Sequence, residues 1–505
     1  MGITRRAFLE GAAGAGLAAT FGCAAPELAP PAAVPAPAPP PPDLARLDAT
    51  AQAQLVASGE LTPRELVEAA IRRIEALDGR LNAVIVRDFE RALARADAAP
   101  EGPFRGVPYL VKDLTDYAGL PTRRGSRWFR DAPPADASHE VIRRAEAAGL
   151  VVVGKSNTPE LGLLPTTQPL LFGPTRNPWD PARDAGGSSG GAAAAVASGM
   201  LPIAQASDGG GSIRVPACNC GLFGLKPSRG RNPGAAETPG DLAVRHCVSR
   251  SVRDSATLLA HTALRADEGS ALPPPVAPAG APLRQLRIAT SSVDLFGRPV
   301  HPECAEATRR AALVCGELGH HLEEARPEID GGVFVGHFMT LWTAIPAGLV
   351  AQVRRATGRP PPPEALEAWS WGCVEHFAAL GRDAIAKALT YFEEVSVELA
   401  RFHQRYDVWL TPVLGRPAVA LGELAPDLPF SDNLEAATTY VSFTPLANVT
   451  GAPAMSVPLH WSADGVPVGS HFQARPGDEA TLLQLAAQLE QARPWADRWP
   501  PVAAA

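Results

Sequence analysis

The residues best placed to do chemistry lie between Gly186 and Ser212. A Gly186-Gly187-Ser188-Ser189-Gly190-Gly191 run is followed at a short, fixed separation by Ser207-Asp208-Gly209-Gly210-Gly211-Ser212-Ile213-Arg214. Glycines at this density let backbone N–H groups approach a ligand closely and adopt dihedrals that a Cβ forbids. A serine closing such a run, Ser212, is a candidate nucleophile, with the N–H groups of Gly209, Gly210, Gly211 and Ser212 as donors to an oxyanion. A hydrolysis through such a nucleophile also needs a base to take its proton and an acid for the leaving group. Lys112 can serve as both if burial lowers its pKa enough to leave it neutral at rest. Only four of the 46 basic residues are lysines, at 112, 155, 226 and 387. Arginine stays protonated and cannot act as a base, so a lysine at 112 in an arginine-biased chain fits a titrating role. The bland alternative is a salt bridge from Lys112 to Asp113 or Asp116, of small value at a surface. Lys155 and Lys226 read as structural. Asp208 and Arg214 are expected to hold the glycine loop by hydrogen bonds, and Ser188 and Ser189 to support the site or cap the helix that follows.

The elements that must carry these residues can be read from the pattern around them. Residues 109–111 and 150–153 are short apolar runs, alternating with helical patterns such as 138–148, which predicts an α/β sheet with helices packed on it. Lys112 then sits at the end of a strand. Residues 192–199 are alanine-rich and predict a closely packed helix whose N-terminus faces the glycines. Nearer the start, Thr62-Pro63-Arg64-Glu65 is a capping box with proline at the first helical position. Residues 265–284 read as a surface loop, and 285–410 depart from the core motifs, with a long helix over 382–406. Trp342, Trp369, Trp371 and Cys373 are expected in the core or lining a pocket. Two pattern matches fail on context. Residues 149–156 fit a nucleotide-binding P-loop, but Val151-Val152-Val153 is strand sequence where a flexible turn is needed. Residues 187–191 fit a nucleophile elbow, but polar turn sequence precedes them in place of a buried strand, so Ser189 is not the nucleophile.

With 505 residues, 46% hydrophobic and 20% charged, the chain has ordinary globular composition. A net charge of −7 with no basic run argues against nucleic acid as a partner and for a small molecule. Thr4-Arg5-Arg6-Ala7-Phe8-Leu9 followed by a weakly apolar stretch predicts a twin-arginine export signal over residues 1–23, too short and glycine-rich to span a membrane stably. The expected location is periplasmic or secreted. Cys23 is a candidate lipid anchor, although Thr20 stands where such signals carry a large aliphatic residue. Residues 24–42, almost wholly alanine and proline, predict an extended spacer. Setting Cys23 aside leaves six cysteines that could form disulfides after export, with no readable pairing, and Cys218 and Cys220 too close to bridge. No metal is expected, because His246 beside Cys247 lacks ligand spacing.

Three further segments flank the glycine runs in order: Gly106-Val107-Pro108-Tyr109-Leu110-Val111-Lys112-Asp113, Val153-Gly154-Lys155-Ser156-Asn157-Thr158-Pro159-Glu160 and Gly221-Leu222-Phe223-Gly224-Leu225-Lys226-Pro227. Fainter matches continue through Phe443-Thr444-Pro445-Leu446-Ala447-Asn448-Val449-Thr450-Gly451 and Pro453-Ala454-Met455-Ser456-Val457-Pro458. Together they resemble the amidase signature family of serine hydrolases. The resemblance implies an α/β amidase signature fold, a central mixed twisted sheet covered by helices on both faces, over a single domain 43–498. It implies a catalytic core at about 100–250, a variable pocket-shaping region at about 285–410, and no cofactor. It further implies a Ser212–Ser188–Lys112 triad in which Ser188 relays the proton across a cis Gly187–Ser188 peptide. The family usually carries a side chain where Gly209 stands, which leaves this loop freer and open to an atypical leaving group. Ala206 to Ser212, residues 221–231 and Leu459-His460-Trp461 look like the branch that holds 6-aminohexanoate-cyclic-dimer hydrolases, implying cyclic or linear aminohexanoate (nylon) oligomers or related amides as substrates. Two alternatives stand beside this: an amidase subunit of a tRNA-dependent amidotransferase, and a non-catalytic binding protein on an amidase scaffold. A homodimer is left open.

Overall fold

The computed structural model describes residues 43–234, 241–277 and 283–504. The expected export signal, Cys23 and the alanine–proline spacer lie outside the described residues. Eleven strands make one sheet: β1 Val84–Arg87, β2 Pro108–Lys112, β3 Val151–Ser156, β4 Ile203–Asp208, β5 Phe223–Lys226, β6 Val244–Ser249, β7 Arg287–Thr290, β8 His321–Glu324, β9 Val408–Pro412, β10 Ala454–Trp461 and β11 Pro467–Ala474. Their spatial order is β1-β3-β2-β4-β6-β5-β10-β11-β9-β7-β8. The sheet is mixed: β3, β2 and β4 run parallel, as do β9, β7 and β8, while antiparallel pairs join the two groups.

The alternation of side chains along β2 shows why helices must cover both faces. Leu110 faces a core built with the helices Pro63–Leu81 and Gly190–Ala197, whereas Tyr109 and Val111 face a second core with Glu140–Ala147 and Val252–Thr262. All five residues of the strand are buried. The capping box forms as the sequence predicts, with Thr62 and Glu65 bonding each other's backbone N–H at the start of Pro63–Leu81. Helix Gly190–Ala197 is buried on every side, and its small residues are required: a Cβ on Gly191 would lie 2.3 Å from the Asn157 nitrogen. Residues 151–156, part of the rejected P-loop match, are a fully buried strand.

Two features go beyond the sequence reading. The six described cysteines are all free and buried, not bridged. Cys220, Cys315, Cys247 and Cys304 sit in four separate clusters of the core, where each acts as a small apolar side chain. The second is a 27-residue helix, Gly331–Thr357, which the periodicity did not mark. It is long and apolar enough to cross a bilayer, yet Phe334, Phe338, Met339 and Leu341 are buried against other parts of this chain. It packs on the helices Ala368–Ala378 and Ala384–Arg405, the latter matching the helix expected over 382–406.

Candidate active site

Strands β2 and β4 are parallel neighbours, so their C-terminal ends open on the same edge of the sheet, where α/β folds place ligands. Lys112 is the last residue of β2, and Ser207 and Asp208 close β4. The Lys112 N–H donates to Gln205 Oε1 at 2.8 Å, which pins the two strand ends together. Lys112 is fully buried, with Nζ 2.7 Å from Ser188 Oγ and 3.0 Å from Ser207 Oγ. Burial holds it well below the usual range of a lysine; the Asp208 charge opposes that shift and Arg245 reinforces it. The salt-bridge alternative does not hold. Asp113 pairs instead with Lys155 at 2.8 Å, both side chains fully buried, and Lys112 makes no ion pair among the described residues. Lys226 donates to the Pro227 carbonyl at 2.8 Å.

Ser188 is presented by a turn whose backbone leaves no room for side chains. The Gly187–Ser188 peptide is cis, and a Cβ on Gly187 would lie 2.4 Å from the Thr166 carbonyl oxygen. Asp184 holds the turn, accepting from Gly186 N–H at 2.6 Å and Thr167 N–H at 3.1 Å. Burial raises Asp184 to about 7 against the pull of those N–H groups. Ser189 occupies the N-cap position of helix Gly190–Ala197 without capping it; its Oγ lies 3.3 Å from both the Ser207 nitrogen and the Ser207 carbonyl oxygen.

Ser212 stands in the loop between β4 and helix Arg214–Cys220, shaped by Asp208. One carboxylate oxygen accepts from Gly211 N–H at 2.8 Å and the other from Ile213 N–H at 3.2 Å, while Arg214 binds both at 2.9 Å. Burial would raise Asp208, but the charge and hydrogen bonds of Arg214 win and hold it below the usual carboxylate range. Gly211 therefore needs correcting as an oxyanion donor, because its N–H is committed to Asp208. The N–H groups of Gly209, Gly210 and Ser212 donate to no acceptor among the described residues. A Cβ on Gly209 would meet the Trp342 ring at 3.5 Å, an ordinary contact, so the tryptophan occupies the space that a side chain at 209 would use.

Four residues given no role from the sequence complete the site. Ser207 is the second oxygen at Lys112. Thr444 Oγ1 donates to the Gly210 carbonyl at 2.6 Å, and Asn448 Nδ2 donates to Asp208 Oδ1 at 2.9 Å while its Oδ1 accepts from Arg214 at 2.7 Å. His471, kept neutral by burial, has Nε2 3.0 Å from Arg214 Nη1. Thr444 and Asn448 lie in a matched motif, which was the available signal; nothing local marks His471.

Ser212 borders two cavities divided by Trp342, whose Nε1 donates to the Leu163 carbonyl at 3.0 Å. One holds about 50 Å³ and is walled by apolar residues including Leu164, Phe338, Met339 and Trp369. The other holds about 390 Å³ and also takes in Ser188, Ser207 and Gly209. The larger is of small-molecule size. Trp371, by contrast, turns outward to donate to the Pro363 carbonyl at 2.9 Å.

The Amidase family model matches residues 65–483. Putative amidase AmiC of Mycobacterium tuberculosis (strain ATCC 25618 / H37Rv) is 39% identical over 462 residues, covering 90% of this chain and 96% of that protein. The 6-aminohexanoate-cyclic-dimer hydrolase of Pseudomonas sp. (strain NK87) is 37% identical over 476 residues, with the same coverages of 90% and 96%. A solved structure of 6-aminohexanoate cyclic dimer hydrolase complexed with substrate superposes with a TM-score of 0.84 at 35% identity, covering 92% of this chain and 100% of the other. The non-catalytic alternative gives way to these matches: the chain belongs to the amidase signature family and is an amide hydrolase acting on C–N bonds other than peptide bonds.

Proposed function

We propose that this amidase works through a seryl acyl-enzyme on Ser212, with Ser188 and Lys112 completing a triad, and that amides of aminohexanoate type are its substrates. The observation that carries the reading is a buried lysine bonded to Ser188, with no carboxylate partner among the described residues, beside a serine flanked by N–H groups that those residues leave unused. In this scheme Ser212 Oγ attacks the amide carbon while its proton passes to Ser188 Oγ, whose own proton passes to neutral Lys112. The oxyanion accepts from the N–H groups of Gly209, Gly210 and Ser212. As the C–N bond breaks, the proton returns through Ser188 to the leaving nitrogen. Water then attacks the ester, giving up its proton along the same path, and releases the acid and Ser212.

The aminohexanoate reading rests on likeness to the hydrolases reported above and on an apolar cavity beside Ser212 whose walls suit methylene groups. The arginine pair near the N-terminus supports an exported enzyme. The test is product formation by mass spectrometry with the cyclic dimer, simple aliphatic amides and anilides. Opening of the cyclic dimer to the linear dimer is the expected result. Cleavage of simple amides with the cyclic dimer untouched would overturn the substrate reading and leave the amidase.

A further inference from the structure

The two cavities meeting at Ser212 have different chemistry, and the proton path says which part of the substrate each receives. The leaving nitrogen must take its proton from Ser188, and Ser188 borders only the larger cavity. In that scheme the amine side of the scissile bond lies there, and the acyl side turns toward the apolar cavity. Among the described residues no charged group lines the apolar cavity, and the larger one has a single charged lining residue, Asp241.

We infer, resting on the acyl-enzyme reading above, that Asp241 selects the leaving group. It favours amines carrying a second, cationic group and disfavours those ending in a carboxylate. Asp241 is half-buried and enters the strand β6 side of the cavity beside Leu242 and Ala243. One carboxylate oxygen accepts from the Ala243 N–H at 3.0 Å, which fixes the group against the wall, and the carboxylate makes no ion pair among the described residues. Arg229, a cation whose charge Asp241 influences, directs its Nη2 at the carbonyl oxygens of Asn448 and Val449. An anion fixed in a cavity that carries no other charge among the described residues attracts an ammonium on the leaving chain and repels a carboxylate, with screening by salt because the group is only half-buried. The uncharged cyclic aminohexanoate dimer is accepted on this basis. The linear dimer, whose leaving half ends in a carboxylate, is handicapped.

The test compares hexanoyl amides of cadaverine, pentylamine and 6-aminohexanoate, identical on the acyl side and ending in ammonium, methyl and carboxylate on the amine side. For the wild-type enzyme kcat/KM should fall in that order, by about tenfold from first to last, as two modest opposite charge effects combine. The ratio should collapse in Asp241→Asn and shrink at high salt. Calorimetric binding of the same three amides to Ser212→Ala reads the preference without turnover. Equal values across the series, or an order that survives in Asp241→Asn, would overturn the role of Asp241. Failure of the wild type to cleave even the neutral amide, with the binding order intact, would count against the acyl-enzyme reading alone.

Discussion

Replacing Lys112 by methionine separates its chemistry from its packing. The side chain is fully buried, and methionine keeps the length and most of the volume while removing the amine. Loss of a positioned base is worth about 10²–10⁴ in rate, so kcat/KM should fall by about three orders of magnitude. The fold should survive, because Ser188 and Ser207 both border the larger cavity, where water can replace the lost amine. The pH dependence carries a definite sign. Burial lowers the Lys112 pKa, so between that lowered value and about 10.5 the unfolded chain holds a proton that the native protein does not. Stability contributed at this site therefore rises with pH through that window, and below it the wild type bears the full cost, about 1.4 kcal/mol per pKa unit of depression. The methionine variant lacks this term, so its stability relative to wild type should be greatest at low pH and decline toward about pH 10.5. Wild-type kcat/KM should rise with pH as Lys112 loses its proton, and the residual activity of the variant should lack that limb. The assays are a pH–rate profile on a neutral amide and denaturant unfolding at several pH values. A variant within tenfold of wild type, or one that keeps the acidic limb, would refute the base role.

Other substitutions test the parts that position the triad. Ser207→Ala removes one of two hydroxyls at Lys112 and should lower kcat by up to about tenfold with KM little changed, read by steady-state kinetics. Arg214→Ala strands the buried Asp208 carboxylate and should cost about 3–5 kcal/mol in denaturant unfolding. Gly187→Ala drives a Cβ to 2.4 Å from the Thr166 carbonyl oxygen and should abolish activity, whereas Gly209→Ala meets only the Trp342 ring at 3.5 Å and should stay active, both read on the same amide.

The sequence carried much of this site because its key residues fall where strong local signals coincide. Lys112 ends an apolar strand run, Ser188 sits in a glycine cluster whose close backbone contacts require glycine, and Ser212 follows Gly211, whose φ of 137° favours glycine. What could not be read depends on groups far apart in the chain. Asp208 is tied to Asn448 across 240 positions, and Arg214 meets His471 across 257, contacts that no local pattern reports. The direction of the Gly211 N–H follows from that network, so a run of four donors read in order gave one too many. The helix Gly331–Thr357 escaped for a different reason. It carries Pro346 in its interior, and its Phe338, Met339, Leu341 and Ile345 line the two cavities, the first three also packing on the core, which spreads apolar residues around the helix and blurs the one-sided periodicity that marks an ordinary surface helix. Whether the cysteines pair was left open by the sequence, and it is decided by their burial in separate parts of the core, where they stay free.

Labelling with a fluorophosphonate, followed by peptide mass mapping, tests the role of Ser212 most directly. A single adduct on Ser212, formed by the folded wild type and lost in both Ser212→Ala and Lys112→Met, is the predicted result. An adduct on Ser188 or Ser189 instead, or none on an enzyme that still turns over amide, would contradict the assignment of Ser212 as the nucleophile.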